Sequence, residues 1–162
     1  MRVLGIDPGT AIVGWAILEE CKGCVKPIAY GHITTSPKNS TAQRLLEVVR
    51  DLEEIVQKFQ PQEAAVEDLF FFKNLKTVMK VSQARGSILL TLERFYVSIF
   101  EYTPLQVKQA ITGYGRAEKK QIQIMTQKIL NLKSIPKPDD TADALAIALC
   151  HLNSRKMRQI RN

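Results

Sequence analysis

The sequence contains few of the residues that build zinc or disulfide scaffolds, with three cysteines and two histidines among 162 residues. Cys21 and Cys24 have the spacing of half a zinc knuckle, but a structural zinc needs four ligands and no second C-x-x-C pair follows. Because Cys150, His32 and His151 are the remaining candidates, we expect no zinc site. We interpret the CKGC segment as a reduced hairpin turn between two strands.

Long apolar segments are also missing. No uninterrupted apolar stretch approaches the roughly 20 residues that a membrane span needs. The apolar run near the N-terminus is too short for the core of a signal peptide. With 45% hydrophobic and 24% charged residues, the composition is that of a globular protein. We therefore expect a cytoplasmic protein with a single domain over residues 1–152 and a loose basic tail over residues 153–162.

Charge is unevenly distributed along the chain, whose net charge is +7. Residues 1–102 carry 12 basic and 12 acidic side chains, whereas residues 103–162 carry 11 basic and 4 acidic ones. A one-sided excess of this kind is typical of a surface that binds a polyanion. Nucleic acid is the first candidate, because no basic helix shows the matching apolar face of a membrane-binding segment.

Hydrophobic periodicity predicts an α/β fold. Residues 2–35 have the pattern of a three-stranded meander, and a helix that ends at the QPQ segment follows. The later elements are a strand at 63–68, a helix at 74–95, a strand at 96–102 and helices near 104–112, 117–130 and 139–152. The order β-β-β-α-β-α-β-α-α-α predicts a mixed five-stranded sheet flanked by helices.

Acidic residues fall at the ends of these predicted elements: Asp7, Glu67 with Asp68, and the group Asp139, Asp140 and Asp143. Each position has an ordinary explanation. An Asp before Pro-Gly favours a turn, a strand can end in water, and acids at the start of a helix cap its free N–H groups. The alternative is a shared site, since ligands of open α/β sheets gather beyond strand ends.

A shared site would carry strong repulsion between its carboxylates. If the first and fourth strands are adjacent, their last side chains on one face lie about 5 Å apart. Asp140 and Asp143 share one face of the last helix. Such a cluster needs raised pKa values or a divalent cation, for which Mg²⁺ or Mn²⁺ suits carboxylate oxygens. Metal-bound carboxylates beside a basic surface indicate phosphodiester chemistry.

Five motifs carry a resemblance to a known family. In chain order they are GIDPGT at 5–10, AVEDLFF at 65–71, QVKQA at 106–110, GRAEKKQI at 115–122 and DDTADALAIAL at 139–149. Together they resemble the RuvC family of bacterial Holliday junction resolvases over residues 1–152. The first motif alone is weakly specific, whereas the five in this order are very specific.

The resemblance implies a ribonuclease H-like fold and a homodimer. It also implies a structure-selective endonuclease that resolves Holliday junctions in DNA recombination and repair. Such an enzyme makes paired, symmetric, metal-dependent nicks that leave 5′-phosphate ends. The implied cofactor is a pair of Mg²⁺ ions, with Mn²⁺ as a substitute. The implied partners are four-way junction DNA and the branch-migration helicase complex of RuvA and RuvB, with no membrane.

The resemblance also assigns roles to individual residues. The implied metal ligands are Asp7, Glu67, Asp140 and Asp143. Asp140 is preferred to Asp139 because the family's first acid lies three residues before the Asp of DALA, which leaves Asp139 as a helix cap and Asp68 without an assigned role. Lys108 and Lys119 match basic residues near the cut phosphate, where an ammonium stabilises the charge that gathers during the reaction. The ordinary alternative for both lysines is a solvated helix surface.

Further residues are candidates for contact with DNA. Phe70 follows the acidic pair, and we expect it to stack on an unpaired base at the junction centre. The alternative is that the aromatic residues of this segment turn into the core. Generic phosphate contacts, besides Lys108 and Lys119, are assigned to Lys73, Lys76, Arg85, Arg116 and Lys120. The GYGR segment suits a mobile loop, and the small residues of SQARGS suit either a dimer contact or an exposed helix.

Three other functions share parts of this pattern. An actin-like or sugar-kinase-like ATPase has a phosphate loop similar to GIDPGT, but it also needs a duplicated domain and a second motif of the DxG type, which the sequence lacks. A ribonuclease H-like nuclease acting on RNA or simple duplex is disfavoured by the QVKQ and ADALAIA segments. A non-catalytic nucleic-acid-binding protein explains the basic last third and leaves the acids unexplained.

Overall fold

A computed structural model describes residues 1–68 and 75–161 of the chain. Its elements follow the predicted order. The strands are β1 (Arg2–Asp7), β2 (Ile12–Cys21), β3 (Cys24–Thr34), β4 (Glu63–Glu67) and β5 (Ser98–Tyr102). The helices are α1 (Thr41–Phe59), α2 (Leu75–Arg94), α3 (Pro104–Thr112), α4 (Lys119–Ile129) and α5 (Asp139–Arg161). Within these described ranges, no helix is long and apolar enough to cross a membrane.

The five strands form one mixed sheet in the order β3-β2-β1-β4-β5. β1 and β2, and β2 and β3, pair antiparallel. β1 and β4, and β4 and β5, pair parallel. The parallel pairs follow from the helices α1 and α2, since parallel strands need a long crossover connection. The predicted α/β class, mixed sheet and ribonuclease H-like fold are confirmed.

Helices cover both faces of the sheet. Alternate residues of β1 point to opposite faces, so Leu4 and Ile6 pack with α1 and α2 while Val3 faces α5. All three side chains are fully buried, which explains the continuous apolar run in this strand. Asp7 continues the series of Val3 and Gly5 and therefore points to the face that α5 covers.

The helix α5 lies very close to the sheet. A Cβ atom added at Gly5 would collide with the backbone carbonyl of Ala144 and would lie 2.8 Å from the Cβ of Ala148. A Cβ atom at Gly14 of β2 would collide with the carbonyl of Asp140. The two glycines, together with the alanines of α5, allow the start of this helix to rest directly on β1 and β2.

The C-terminal boundary differs from the prediction. α5 continues to Arg161, so the segment expected to be a loose tail has a helical backbone through residue 161. Side chains near its start hold it against the domain. Asn153 donates to the carbonyl of Ala110, the guanidinium of Arg155 lies 3.4 Å from Glu63, and the ammonium of Lys156 lies 3.4 Å from Glu20.

The CKGC segment forms the expected turn between β2 and β3. Cys21 and Cys24 are paired across the two strands, and both are exposed free thiols. Lys22 and Gly23 between them adopt left-handed backbone conformations, with φ of 51° and 81°. Two positive φ values in a two-residue loop match the twist of the flanking strands. The interpretation as a hairpin turn is therefore confirmed.

Gly5→Ala tests the close approach of α5 to the sheet. We expect the free energy of unfolding to fall by about 1–3 kcal/mol, because the added methyl group meets a backbone carbonyl that cannot rotate away. Adding Ala148→Gly should give no rescue, since the carbonyl of Ala144 remains in place. Chemical denaturation of both variants provides the measurement, and wild-type stability of Gly5→Ala would contradict the proposed packing.

Candidate active site

The parallel pairing of β1 with β4 brings two carboxyl groups together. Ile6 lies opposite Val66 in the register, so Asp7 and Glu67 occupy adjacent positions at the same edge of the sheet. Both side chains point to the face that α5 covers. The predicted adjacency of the first and fourth strands, and of their last side chains, is confirmed.

The first turns of α5 add further acids to this edge. Burial raises the pKa of Asp7 well above its usual range, and repulsion from Glu67, Asp143 and Asp140 raises it further. Burial, followed by repulsion from Asp143, raises the pKa of Glu67 to about 7. The pKa of Asp143 is also raised, chiefly by burial. The four acids predicted to form one cluster therefore interact electrostatically around Asp7.

Lys119 lies beside this cluster at the start of α4. Its Nζ atom is 2.8 Å from Oδ2 of Asp143 and 3.5 Å from Oδ2 of Asp139. Burial lowers the pKa of Lys119, but its hydrogen bond and attraction to Asp143 outweigh this effect and raise the pKa above its ordinary value. The lysine therefore remains protonated and neutralises part of the negative charge.

A cleft of about 230 Å³ opens next to the acids. Glu67, Asp143, Lys108 and Lys119 contribute to its lining. The rest of the lining includes apolar side chains from α3, α4 and α5, among them Val107. The cleft therefore combines carboxylates and ammonium groups with apolar lining residues. This combination suits an anionic substrate whose reaction requires a cation.

The acids fit a divalent cation by their chemistry. Carboxylate oxygens are the hard ligands that Mg²⁺ and Mn²⁺ prefer. In the part of the chain that the structure describes, no three His, Cys, Asp or Glu side chains already form a compact metal-binding group. The ammonium of Lys119 balances part of the negative charge. A divalent cation held by these carboxylates would balance more of it.

Several of the predicted DNA contacts lie on the elements that border this cleft. Lys108 lines it from α3, and Arg116 and Lys120 are exposed on either side of the first residue of α4. Phe70 and Lys73, together with the side chain of Lys76, lie outside the described residues. Their assigned contacts stay predictions.

Arg85 requires a correction. It was predicted to contact phosphate, but its side chain is only 14% exposed and its guanidinium is paired with Glu101 and Asp68, the latter at 3.3 Å. Its Nε atom also donates to the backbone carbonyl of Glu67 at 3.2 Å. Because its guanidinium is already paired with carboxylates, Arg85 stabilises the end of β4 and does not face a DNA strand.

Two ion pairs near the site were not predicted from the sequence. Asp139 lies in the first turn of α5, where it was expected as a helix cap, and it also pairs with Lys119. Its position four residues before Asp143 places both acids on one helix face, a spacing that could have indicated a shared cation. Glu101 gave no comparable signal, because its contact with Arg85 depends on the packing of β5 against α2.

Comparisons with known proteins agree over nearly the whole chain. The family model described as crossover junction endodeoxyribonuclease RuvC matches residues 3–151. The RuvC protein of Syntrophomonas wolfei is 50% identical over 157 residues, covering 97% of this chain and 91% of the relative. That of Fusobacterium nucleatum is 55% identical over 154 residues, covering 95% and 81%.

A solved structure shows the same fold. Thermus thermophilus RuvC, in complex with a Holliday junction substrate, superposes with a TM-score of 0.92 at 34% identity, covering 98% of this chain and 96% of that chain. The family match, the curated relatives and this superposition span the elements that carry every acid of the cleft. The chain therefore belongs to the RuvC family of crossover junction endodeoxyribonucleases.

Proposed function

We propose that the protein is a crossover junction endodeoxyribonuclease that resolves Holliday junctions in DNA recombination and repair. One observation carries this proposal: carboxylates from β1, β4 and α5 cluster at one edge of the sheet, next to a cleft that two lysines line. The names of its relatives and the junction bound by the Thermus thermophilus protein point to the same substrate. A DNA substrate is consistent with the cytoplasmic location expected from the sequence.

The reaction is hydrolysis of a phosphodiester bond. We assign the binding of divalent metal to Asp7, Glu67, Asp140 and Asp143, with Mg²⁺ preferred and Mn²⁺ able to substitute. When bound, such ions would supply activation of a water molecule and stabilisation of the leaving oxygen. The water oxygen loses a proton and joins the phosphorus, the bond to the 3′ oxygen breaks and that oxygen takes up a proton, so the nick retains its phosphate on the 5′ end.

The two lysines act on the phosphate itself. Negative charge accumulates on the phosphoryl oxygens during displacement, and a fixed ammonium stabilises that charge more than it stabilises the ground state. Lys119 is held at the edge of the cleft by Asp143 and Asp139, and Lys108 faces the same cleft from α3. Exposed Arg116 and Lys120 extend the basic surface along the DNA backbone, where phosphate contacts position the substrate.

A two-fold dimer suits a substrate with two strands of like polarity to cut. The helix α2 carries an exposed stripe of Met79, Gln83, Gly86 and Leu90, whose 4-3-4 spacing places them on one helix face. Met79 is 67% and Leu90 64% exposed, which is unusual for apolar side chains on a helix that packs against a domain. We assign this stripe to the contact between two copies of the chain. By family resemblance, the RuvA and RuvB helicase complex is a further partner.

Asp7→Asn separates cutting from binding. The amide keeps the size of the side chain but cannot supply the negative charge that holds a cation. We expect nicking of a synthetic four-way junction in Mg²⁺ to slow by on the order of 10³-fold, with junction affinity retained in a gel-shift assay. Asp51→Asn, on the polar face of α1, is the matched control. Nicking by Asp7→Asn at the wild-type rate would exclude the proposed site.

Removal of metal provides an independent test. Excess chelator should abolish nicking, and added Mg²⁺ or Mn²⁺ should restore it. Because a ligand that binds the folded state stabilises it, Mg²⁺ should also raise the Tm of the wild-type protein in the absence of DNA. That increase should be lost in Asp7→Asn and retained in Asp51→Asn. Undiminished cutting in chelator would contradict the metal-dependent mechanism.

Leu90→Asp tests the dimer surface. A charge in place of an exposed apolar side chain of the stripe should convert the dimer to monomers at micromolar concentration, measured by light scattering, and should abolish paired nicks. Leu105→Asp is the control, because Leu105 is similarly exposed on α3 and lies off the stripe. A stable Leu90→Asp dimer, or paired nicks from a monomer, would argue against this surface.

A further inference from the structure

A buried histidine connects the elements that carry the candidate catalytic acids. His151 of α5 is fully buried, and its Nδ1 atom lies 2.8 Å from the hydroxyl of Tyr102 on β5. Its Nε2 atom lies 2.6 Å from Oε2 of Glu63 on β4. Arg155, one turn further along α5, lies 3.4 Å from the other oxygen of Glu63, and the ring of Phe100 packs on the imidazole at 4.6 Å between centroids.

Burial makes these hydrogen bonds important. An unpaired polar group in the interior costs about 1–3 kcal/mol. Tyr102, His151 and Glu63 are therefore each constrained to keep their hydrogen-bond partners. If the hydroxyl of Tyr102 donates to Nδ1, the ring carries its proton on Nε2 and donates it to Glu63. If the ring is protonated, it donates at both nitrogens. The same neighbours satisfy His151 in either state.

The three linked residues lie on the elements that form the cleft. Glu63 begins the strand that ends in Glu67, and His151 lies two turns beyond Asp143 on α5. Tyr102 is opposite Glu67 in the parallel register, and its backbone carbonyl accepts a hydrogen bond of 2.8 Å from the amide of Asp68. The network therefore ties β4, β5 and α5 together beneath the acids.

Apolar packing holds α5 on the sheet. Large side chains such as Leu145, Ile147 and Leu149 are fully buried, and alanines such as Ala144 and Ala148 permit close approach. The hydrophobic effect is non-directional, whereas hydrogen bonds depend on both distance and angle. The polar network supplies the directional restraint against sliding or rotation of the helix over the sheet.

We propose that Tyr102, His151 and Glu63 are positioning residues that set the distance between Asp143 on α5 and Glu67 on β4. The consequence for cutting rests on the proposed function, but the positioning itself does not. The three residues lie below the cleft and take no part in the chemistry. Their loss should lower the rate of cutting without changing the affinity for a junction, because DNA contacts on the exposed surface remain.

Tyr102→Phe is the sharpest variant, since it removes one hydroxyl and keeps the ring. We expect single-turnover nicking to slow about tenfold or more, as catalysis is sensitive to small displacements, with junction affinity unchanged within about twofold. Exchange of the Asp68 amide, followed by NMR, should become faster. Thr91→Val is the matched control. Thr91 is equally buried, and its hydroxyl donates to Ser87 within α2, so nicking and Asp68 exchange should both stay at wild-type values.

A pair of substitutions at Glu63 tests the same network by rescue. Glu63→Gln keeps an oxygen that can accept from His151 and should recover most of the nicking rate that Glu63→Ala loses. If Tyr102→Phe fails to fold, the comparison of the two Glu63 variants still tests the positioning role. Equal rates for the two Glu63 variants would overturn the proposal, and so would wild-type exchange at Asp68 in Tyr102→Phe.

The two proposals fail in different ways. If the wild-type protein does not cut junctions, the proposed function fails. The positioning role is then still tested by comparing hydrogen exchange of the Asp68 amide in Tyr102→Phe with that in Thr91→Val. If the wild-type protein cuts and Tyr102→Phe matches it in rate, the positioning role is wrong while the assigned function stands.

Discussion

Repulsion between buried carboxylates is the constraint on which the site depends. Asp7 and Glu67 are held side by side because parallel pairing of β1 with β4 leaves them no other position, and α5 places Asp143 above them. Burial and mutual repulsion raise the pKa values of all three. Such an arrangement favours nearby positive charge, which Lys119 supplies in part and which a divalent cation would supply more completely.

The close packing of α5 on the sheet makes this arrangement possible. Gly5 and Gly14 remove the side chains that would otherwise separate the helix from β1 and β2, and the alanines of α5 do the same from the other side. A helix held at this distance can present Asp143 to the carboxyl edge of two strands. The buried contacts of His151 with Tyr102 and Glu63 add hydrogen bonds, which depend on direction, to this apolar packing.

Positive charge is used in two different ways around the cleft. Lys108, Lys119 and the exposed Arg116 lie where an anionic backbone can reach them, in the basic last third of the chain. Arg85 is also close to the acids, but its guanidinium is turned inward onto Glu101, Asp68 and the carbonyl of Glu67. Basic side chains therefore face the cleft or solvent in one place and pair with the end of β4 in another.

The sequence by itself determined the order of the elements and the mixed sheet, which follow from apolar periodicity, a local pattern. Acids at element ends made a shared site of Asp7, Glu67 and Asp143 one of two readings, and the family resemblance favoured it. Tertiary structure alone decided the inward turn of Arg85, the pairing of Asp139 with Lys119 and the network around His151. The reason is physical, because each of these features depends on contacts between elements that are distant in the chain. Neither residue type nor spacing predicts which partner a long side chain contacts after the helices have packed.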